Sequence, residues 1–224
     1  MNYLSHGYRF LDDPWFLAGT AVPDWLSVVN RRMRARSRLV EPIVATTNDD
    51  ATRQLGKGIL QHHHDDAVFH TCETFVMLEA QAAAKFRKIM PDRYDHRPGF
   101  LGHIVVELLL DTIIEERQPG TLDRYYSTLN RIDPLVLQDL INSMATTSSD
   151  KLAWFIQRFH EERFLADYQT NEGLMLRLNQ VMKRVKLPSL PEEAMALFTE
   201  LRSLVRDNAD GMLDTVTAAS ADQS

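Results

Sequence analysis

Eight histidines occur in the 224-residue chain. Four of them, His62, His63, His64 and His70, crowd beside Asp65 and Asp66. His62, Asp66 and His70 are spaced by four and four. On an α-helix each such step turns the side chain by only about 40°, so all three project from one face. Neighbours at this spacing have Cβ atoms about 5–6 Å apart, which suits shared coordination of one ion. Neutral imidazole and ionised carboxylate are ligands for Zn, Fe, Mn or Co. His103, Glu107 and Asp111 repeat the same spacing in a stretch that is apolar almost all round, including Val105, Val106, Leu108, Leu109 and Leu110. Such a helix is expected to be buried. Burying ionisable groups without partners is costly. A metal ion supplies the partner, and so does a tight polar network, for instance with arginines.

If the first row points inward, His63, His64 and Asp65 point elsewhere, as supports for the ligands, substrate contacts or plain surface. The doublet His64–Asp65 resembles that of HD-type phosphohydrolases and offers a rival register for the same site. Two further candidates lie near the N-terminus. His6 follows a short apolar start. Asp24 follows Pro23 at the head of an expected helical turn, where a carboxylate caps or coordinates, capping being the better reading from sequence alone. Arg31, Arg32, Arg34, Arg36 and Arg38 fall within eight residues that contain no acid. They read either as a solvated face or as a landing patch for an acidic or phosphorylated partner.

The elements that hold these residues are helical by pattern. Few runs alternate as a half-buried strand does, and prolines and glycines punctuate the periodic segments. The pattern predicts a short helix from Pro14 to about Gly19 and a helical turn from Pro23 to Asn30. A long helical region, one helix or two, then covers 49–90. A helix follows from Pro98 to Arg117, then others near 119–130, 133–146, 150–186 and 191–206. With no repeat and no long polar linker, this is an all-α, single-domain helical bundle over 1–207, followed by a flexible C-terminal tail over 208–224.

Composition excludes several classes. A net charge of −6 argues against general nucleic-acid binding. No apolar run approaches the roughly 20 residues that span a bilayer. The N-terminal residues lack the basic start and long apolar run of a signal peptide. The single Cys72 forms no internal disulfide, which fits a reducing cytoplasm.

In order along the chain, these residues resemble the bacterial acyl carrier protein phosphodiesterase family, a helical group related to HD-type hydrolases. Met1-Asn2-Tyr3-Leu4-Ser5-His6 is similar to the family's Met-Asn-Phe-Leu-Ala-His start. The segment Leu17 to Trp25 is similar to its Leu-x-Gly-Asn-x-x-x-Asp-Phe. Gly58-Ile59, His62 and Asp66 match its Gly-Ile-x-x-His-x-x-x-Asp helix, with His70 where a further Asp stands. Glu107 and Asp111 resemble its Asp-x-x-x-Asp helix, followed by Thr112-Ile113 in place of His-Phe. Glu162 to Tyr168 looks like its aromatic-rich helix near the C-terminus.

The resemblance implies an HD-domain-like helical fold and hydrolysis of a phosphodiester, in that family the one joining phosphopantetheine to a serine of acyl carrier protein. It implies one or two divalent ions (Mn, Fe or Zn), with His6, Asp24, His62, Asp66 and Asp111 as the first ligands. Glu107 is a further ligand candidate. His70 and His103 stand as catalytic candidates, such as a general acid, or with Glu107 as holders of a second metal or supports of the first. Arg31, Arg32 and Arg34 are expected to receive an acidic carrier protein or a small phosphodiester. The departures at His70, Glu107 and Thr112 leave metal and substrate free to differ from the family's.

Overall fold

The computed structural model describes residues 1–90 and 97–221. Residues 91–96 and the last three residues of the expected tail lie outside them. Among the described residues there are helices and turns and no strand, so the fold is all-α. In chain order the elements are α1 (Tyr3–Gly7), a 3₁₀ turn (Tyr8–Phe10), α2 (Pro14–Val29), α3 (Ser37–Thr46), α4 (Asp50–Phe69), α5 (Glu73–Ile89) and α6 (Pro98–Arg117). After these come α7 (Thr121–Leu129), α8 (Pro134–Met144), α9 (Leu152–Glu162), a second 3₁₀ turn (Phe164–Gln169), α10 (Asn171–Arg184) and α11 (Ala194–Ala221). No helix among the described residues is long and apolar enough to cross a membrane.

The chain divides into two compact units, each assembled from separate stretches. One comprises Asn2–Asp66 and Gln118–Phe164. The other comprises Met1, Ala67–Arg117 and Leu165–Ser224.

In the first unit, α2 starts where the Asp13 side chain accepts from the amides of Trp15 and Phe16, both at 3.0 Å, with Pro14 opening the helix. Sequence reading ended this helix near Gly19 and began a new turn at Pro23. Instead α2 runs through Pro23 to Val29. An interior proline costs about 3 kcal/mol. Leu17, Val22, Trp25 and Leu26 are fully buried along the same helix, at roughly 1.5–3 kcal/mol each, so packing outweighs the proline. The helices α2 and α4 cross with their backbones in contact. A Cβ on Gly19 would lie 2.2 Å from the Leu55 carbonyl oxygen, and one on Gly58 2.1 Å from that of Phe16. An aromatic cluster around Phe159 of α9 completes this core, with ring centroids 5.0 Å from Tyr3, 5.4 Å from Tyr126 and 5.5 Å from Trp25.

In the second unit α5 and α6 pair closely, and α11 packs on both. A Cβ on Gly102 of α6 would meet the Glu79 carbonyl oxygen of α5 at 2.6 Å. As expected, α6 is buried almost all round, from Leu101 to Ile114. Three further boundaries differ from those read in sequence. The 49–90 region is two helices, broken at His70–Cys72, where Thr71 and Cys72 donate to Val68 and Phe69 three residues back. The 150–186 region is broken after α9, because Arg163 takes a left-handed conformation (φ 46°) and Thr170 caps a new helix by accepting from the Gly173 amide at 3.0 Å. The tail drawn from 208 onward is helical up to Ala221. Ala209, Met212 and Val216 of α11 are buried at helical spacing, a stripe hidden by the small polar residues around it.

Candidate metal-binding sites

His6 lies on α1, a single turn whose start is fixed by reciprocal contacts between Asn2 and Ser5. His62 and Asp66 lie one turn apart on α4. Their ligand atoms converge, all within 4.8 Å of one another. His6 Nε2 is 3.3 Å from Asp66 Oδ1, and His62 Nε2 is 3.3 Å from Asp66 Oδ2. The two imidazoles stack, with centroids 3.9 Å apart. His6 is completely buried and His62 nearly so.

The hydrogen bonding around this group is informative. His62 Nδ1 lies 2.8 Å from the Thr20 carbonyl oxygen. A carbonyl only accepts, so Nδ1 carries the proton, and in the neutral ring Nε2 is a bare lone pair. That lone pair faces a carboxylate oxygen. Two acceptors are therefore opposed unless a proton or a cation lies between them. Both ring nitrogens of His6 are buried without an aligned hydrogen bond, although carboxylate oxygens lie 3.3 and 3.6 Å away. Unsatisfied buried nitrogens are costly. Ligand atoms on a tetrahedral ion with bonds of about 2.0–2.1 Å are roughly 3.3 Å apart, and here one atom from each residue lies within 4.8 Å of the others, with each imidazole nitrogen 3.3 Å from a different oxygen of Asp66. These residues fit a divalent cation.

Electrostatics prepare the same group. Burial works to raise the Asp66 carboxyl, but the His6 and His62 imidazoles outweigh it and hold Asp66 well below the ordinary carboxylate range. Its neighbour Asp65 is fully buried, with Arg9 Nη2 donating at 2.6 Å and Gln61 Nε2 at 2.7 Å. Burial again acts upward there, and His6, Arg9 and Gln61 bring the carboxyl below its usual value. Both carboxylates are ionised at neutral pH.

A second group forms in the other unit, where His70, His103 and Glu107 converge, again within 4.8 Å. Glu107 Oε1 lies 3.1 Å from His70 Nε2, 3.3 Å from His103 Nε2 and 2.9 Å from the Met1 amino group. Burial works to raise Glu107, but the Met1 amino group and the two imidazoles hold it well below its ordinary value. His103 is raised by its bond to Glu107 against the opposing effect of burial. His70 and His103 are about one-third exposed.

The spacing rows read from sequence are thus redistributed. His62 and Asp66 join His6, whereas His70 joins His103 and Glu107. The physical cause is the end of α4 at Phe69, which takes His70 out of helical register. Asp111 is buried one turn beyond Glu107, and it belongs to neither group. Asp24 sits inside α2 rather than at a helix start, so it does not cap, and it too is outside both groups. The His64–Asp65 register is not where ligand atoms gather; Asp65 is held by Arg9 and Gln61. Arg31, Arg32, Arg34, Arg36 and Arg38 are all exposed, while Met33 and Ala35 between them are buried. The Thr146 amide donates to the Arg34 carbonyl and the Arg34 amide to the Thr146 hydroxyl, and the Ala35 carbonyl lies 2.7 Å from His63 Nε2. Sequence reasoning missed Arg9 and the Thr20 carbonyl. The i, i+4 spacing of Gln61 and Asp65 was a signal, but a main-chain carbonyl leaves none.

Comparison with protein-family models, with curated proteins and with solved structures finds no match in any of the three.

Proposed function

We propose that the protein is a metal-dependent phosphodiester hydrolase with an HD-like fold, its divalent ion held by His6, His62 and Asp66. One observation carries this reading: His6 Nε2 and His62 Nε2 each lie 3.3 Å from an oxygen of Asp66, with both imidazoles buried and His62 Nδ1 held 2.8 Å from the Thr20 carbonyl oxygen. A divalent ion held there supplies a bound water of lowered pKa and positive charge for the phosphoryl oxygens. The chain's own residues do the rest. The Thr20 carbonyl sets the His62 tautomer, as outer partners of ligating histidines do. Arg9 and Gln61 keep Asp65 satisfied one residue from Asp66. The exposed arginines from Arg31 to Arg38 receive the anionic substrate, on a segment joined to α4 through His63 and Ala35.

The motif resemblance favours a phosphopantetheine–serine ester on an acidic carrier protein, in the cytoplasm. Binding through the arginines then weakens as salt rises, because screening shortens from about 10 Å at 0.1 M to about 3 Å at 1 M.

The test is metal content, measured on untagged protein purified without chelators. It is paired with a panel of phosphomonoesters, phosphodiesters, nucleotides and holo acyl carrier protein. His62→Ala and Asp66→Ala are expected to lose the ion of this site and hydrolysis while keeping the helical circular-dichroism signal. Unchanged metal in both variants refutes the site, and bound metal without turnover across the panel refutes the activity.

A further inference from the structure

We propose that His70, His103 and Glu107 form a second divalent-cation site, separate from the first and complete without it. Two imidazole nitrogens and one carboxylate oxygen lie within 4.8 Å of one another. This donor set suits Zn, Fe, Co or Ni better than Mg or Ca. The nitrogens of His70 and His103 lie 3.1 and 3.3 Å from the same Glu107 oxygen, near the roughly 3.3 Å edge of a tetrahedral site.

The ring orientations are built rather than incidental. The imidazoles stack at 4.9 Å, and the buried Phe75 packs against both, at 5.5 Å from His70 and edge-on at 5.1 Å from His103. The far nitrogen of His103, Nδ1, faces Glu79 Oε1 at 3.6 Å. A carboxylate behind a ligating imidazole is the usual way to orient such a ring. His70 belongs to the turn between α4 and α5, whereas His103 and Glu107 are on α6. A cation here therefore ties that turn to α6 within the second unit.

One contact works against the ion. The Met1 amino group shares the Glu107 oxygen at 2.9 Å. It competes with an ion for that oxygen.

The experiment titrates Co²⁺ into the full chain and reads stoichiometry and the visible d–d absorption. Wild type is expected to bind two ions, and His62→Ala or Asp66→Asn one. Adding His103→Ala or Glu107→Gln to either background is expected to leave none. Glu79 is a positioning residue: Glu79→Gln is expected to weaken the second ion by about 10–100-fold while keeping its spectrum. His103→Gln, closer in volume, serves if His103→Ala loses its helical signal. A single ion that is removed by His62→Ala and untouched by His103→Ala and Glu107→Gln overturns this inference and leaves the proposed function standing. A single ion with the opposite response supports it and refutes the first site. No bound ion in wild type refutes both.

Discussion

Gly58→Ala sets two effects of opposite sign against each other. Alanine is the better helix former by about 1 kcal/mol, and Gly58 is well inside α4. Yet the new Cβ would lie 2.1 Å from the Phe16 carbonyl oxygen and 2.9 Å from Gly19 Cα. Those atoms are backbone and cannot rotate away. A carbon approaches a carbonyl oxygen no closer than about 3.3 Å, so α2 and α4 must part by roughly 1.2 Å. Thr20 adjoins Gly19, and His62 is one turn beyond Gly58. The same displacement stretches the 2.8 Å contact between His62 Nδ1 and the Thr20 carbonyl past hydrogen-bonding range. Overpacking costs about 1–3 kcal/mol, and leaving a buried polar group unsatisfied costs a further 1–3 kcal/mol or so. Less the propensity gain, the expected net loss is about 3 kcal/mol. In urea, at a slope of roughly 2–3 kcal/mol/M, the midpoint should fall by about 1 M with an unchanged slope. Metal affinity should fall with it, because His62 loses its orienting partner. Gly99→Ala is the control: nothing lies within 4 Å of its Cβ position, so a change between neutral and about 1 kcal/mol of stabilisation is expected. A Gly58→Ala protein as stable as wild type would show that the crossing is loose and that the tautomer lock does not depend on it.

Arg9→Ala strips the buried Asp65 of its cation and should cost about 3–5 kcal/mol in denaturant unfolding. Asp65→Asn in the Arg9→Ala background should recover part of that loss, and no recovery would mean the charge is not the cause. Burial lowers His160 below its ordinary value, so the unfolded chain takes up that proton first as pH drops through about 6.5. The stability associated with neutral His160 is complete above that pH and lost as pH falls toward the folded value. His160→Phe should flatten the decline between about pH 7 and pH 5, and an unaltered pH profile would contradict the burial argument. Removing metal with a chelator should lower the melting temperature, since an ion at 100 times its dissociation constant stabilises by about 2.7 kcal/mol. Identical melting curves with and without chelator would count against both cation sites.

Periodicity made some of this visible before any coordinates. The helix from Pro98 to Arg117 and its burial follow from an apolar surface all round, and α4 follows from its spacing of His62 and Asp66. What periodicity leaves out is tertiary. Pro23 reads as a boundary, yet the burial of Trp25 and Leu26 carries α2 through it. Arg163 gives no local sign of its left-handed turn. His70 keeps the four-residue spacing but falls just past the last turn of α4, so its imidazole is turned to His103 rather than to His62. His6 was legible as a candidate by type, but its stacking on His62, far away in sequence, is a tertiary contact that no local pattern marks. The clamp of Arg9 and Gln61 on Asp65 needs coordinates, because one of its members is far away in sequence.

The interleaving of the two units has a consequence for synthesis. The faces of α5 and α6 that α11 covers emerge from the ribosome about 100 residues before α11 is complete. At roughly 5–20 residues per second, that leaves them bare for some 5–20 s. A nascent chain in that interval presents the apolar faces of α5 and α6 that α11 later packs on. Shortening the gene anywhere before the codons of α11 should yield insoluble product rather than a smaller folded fragment.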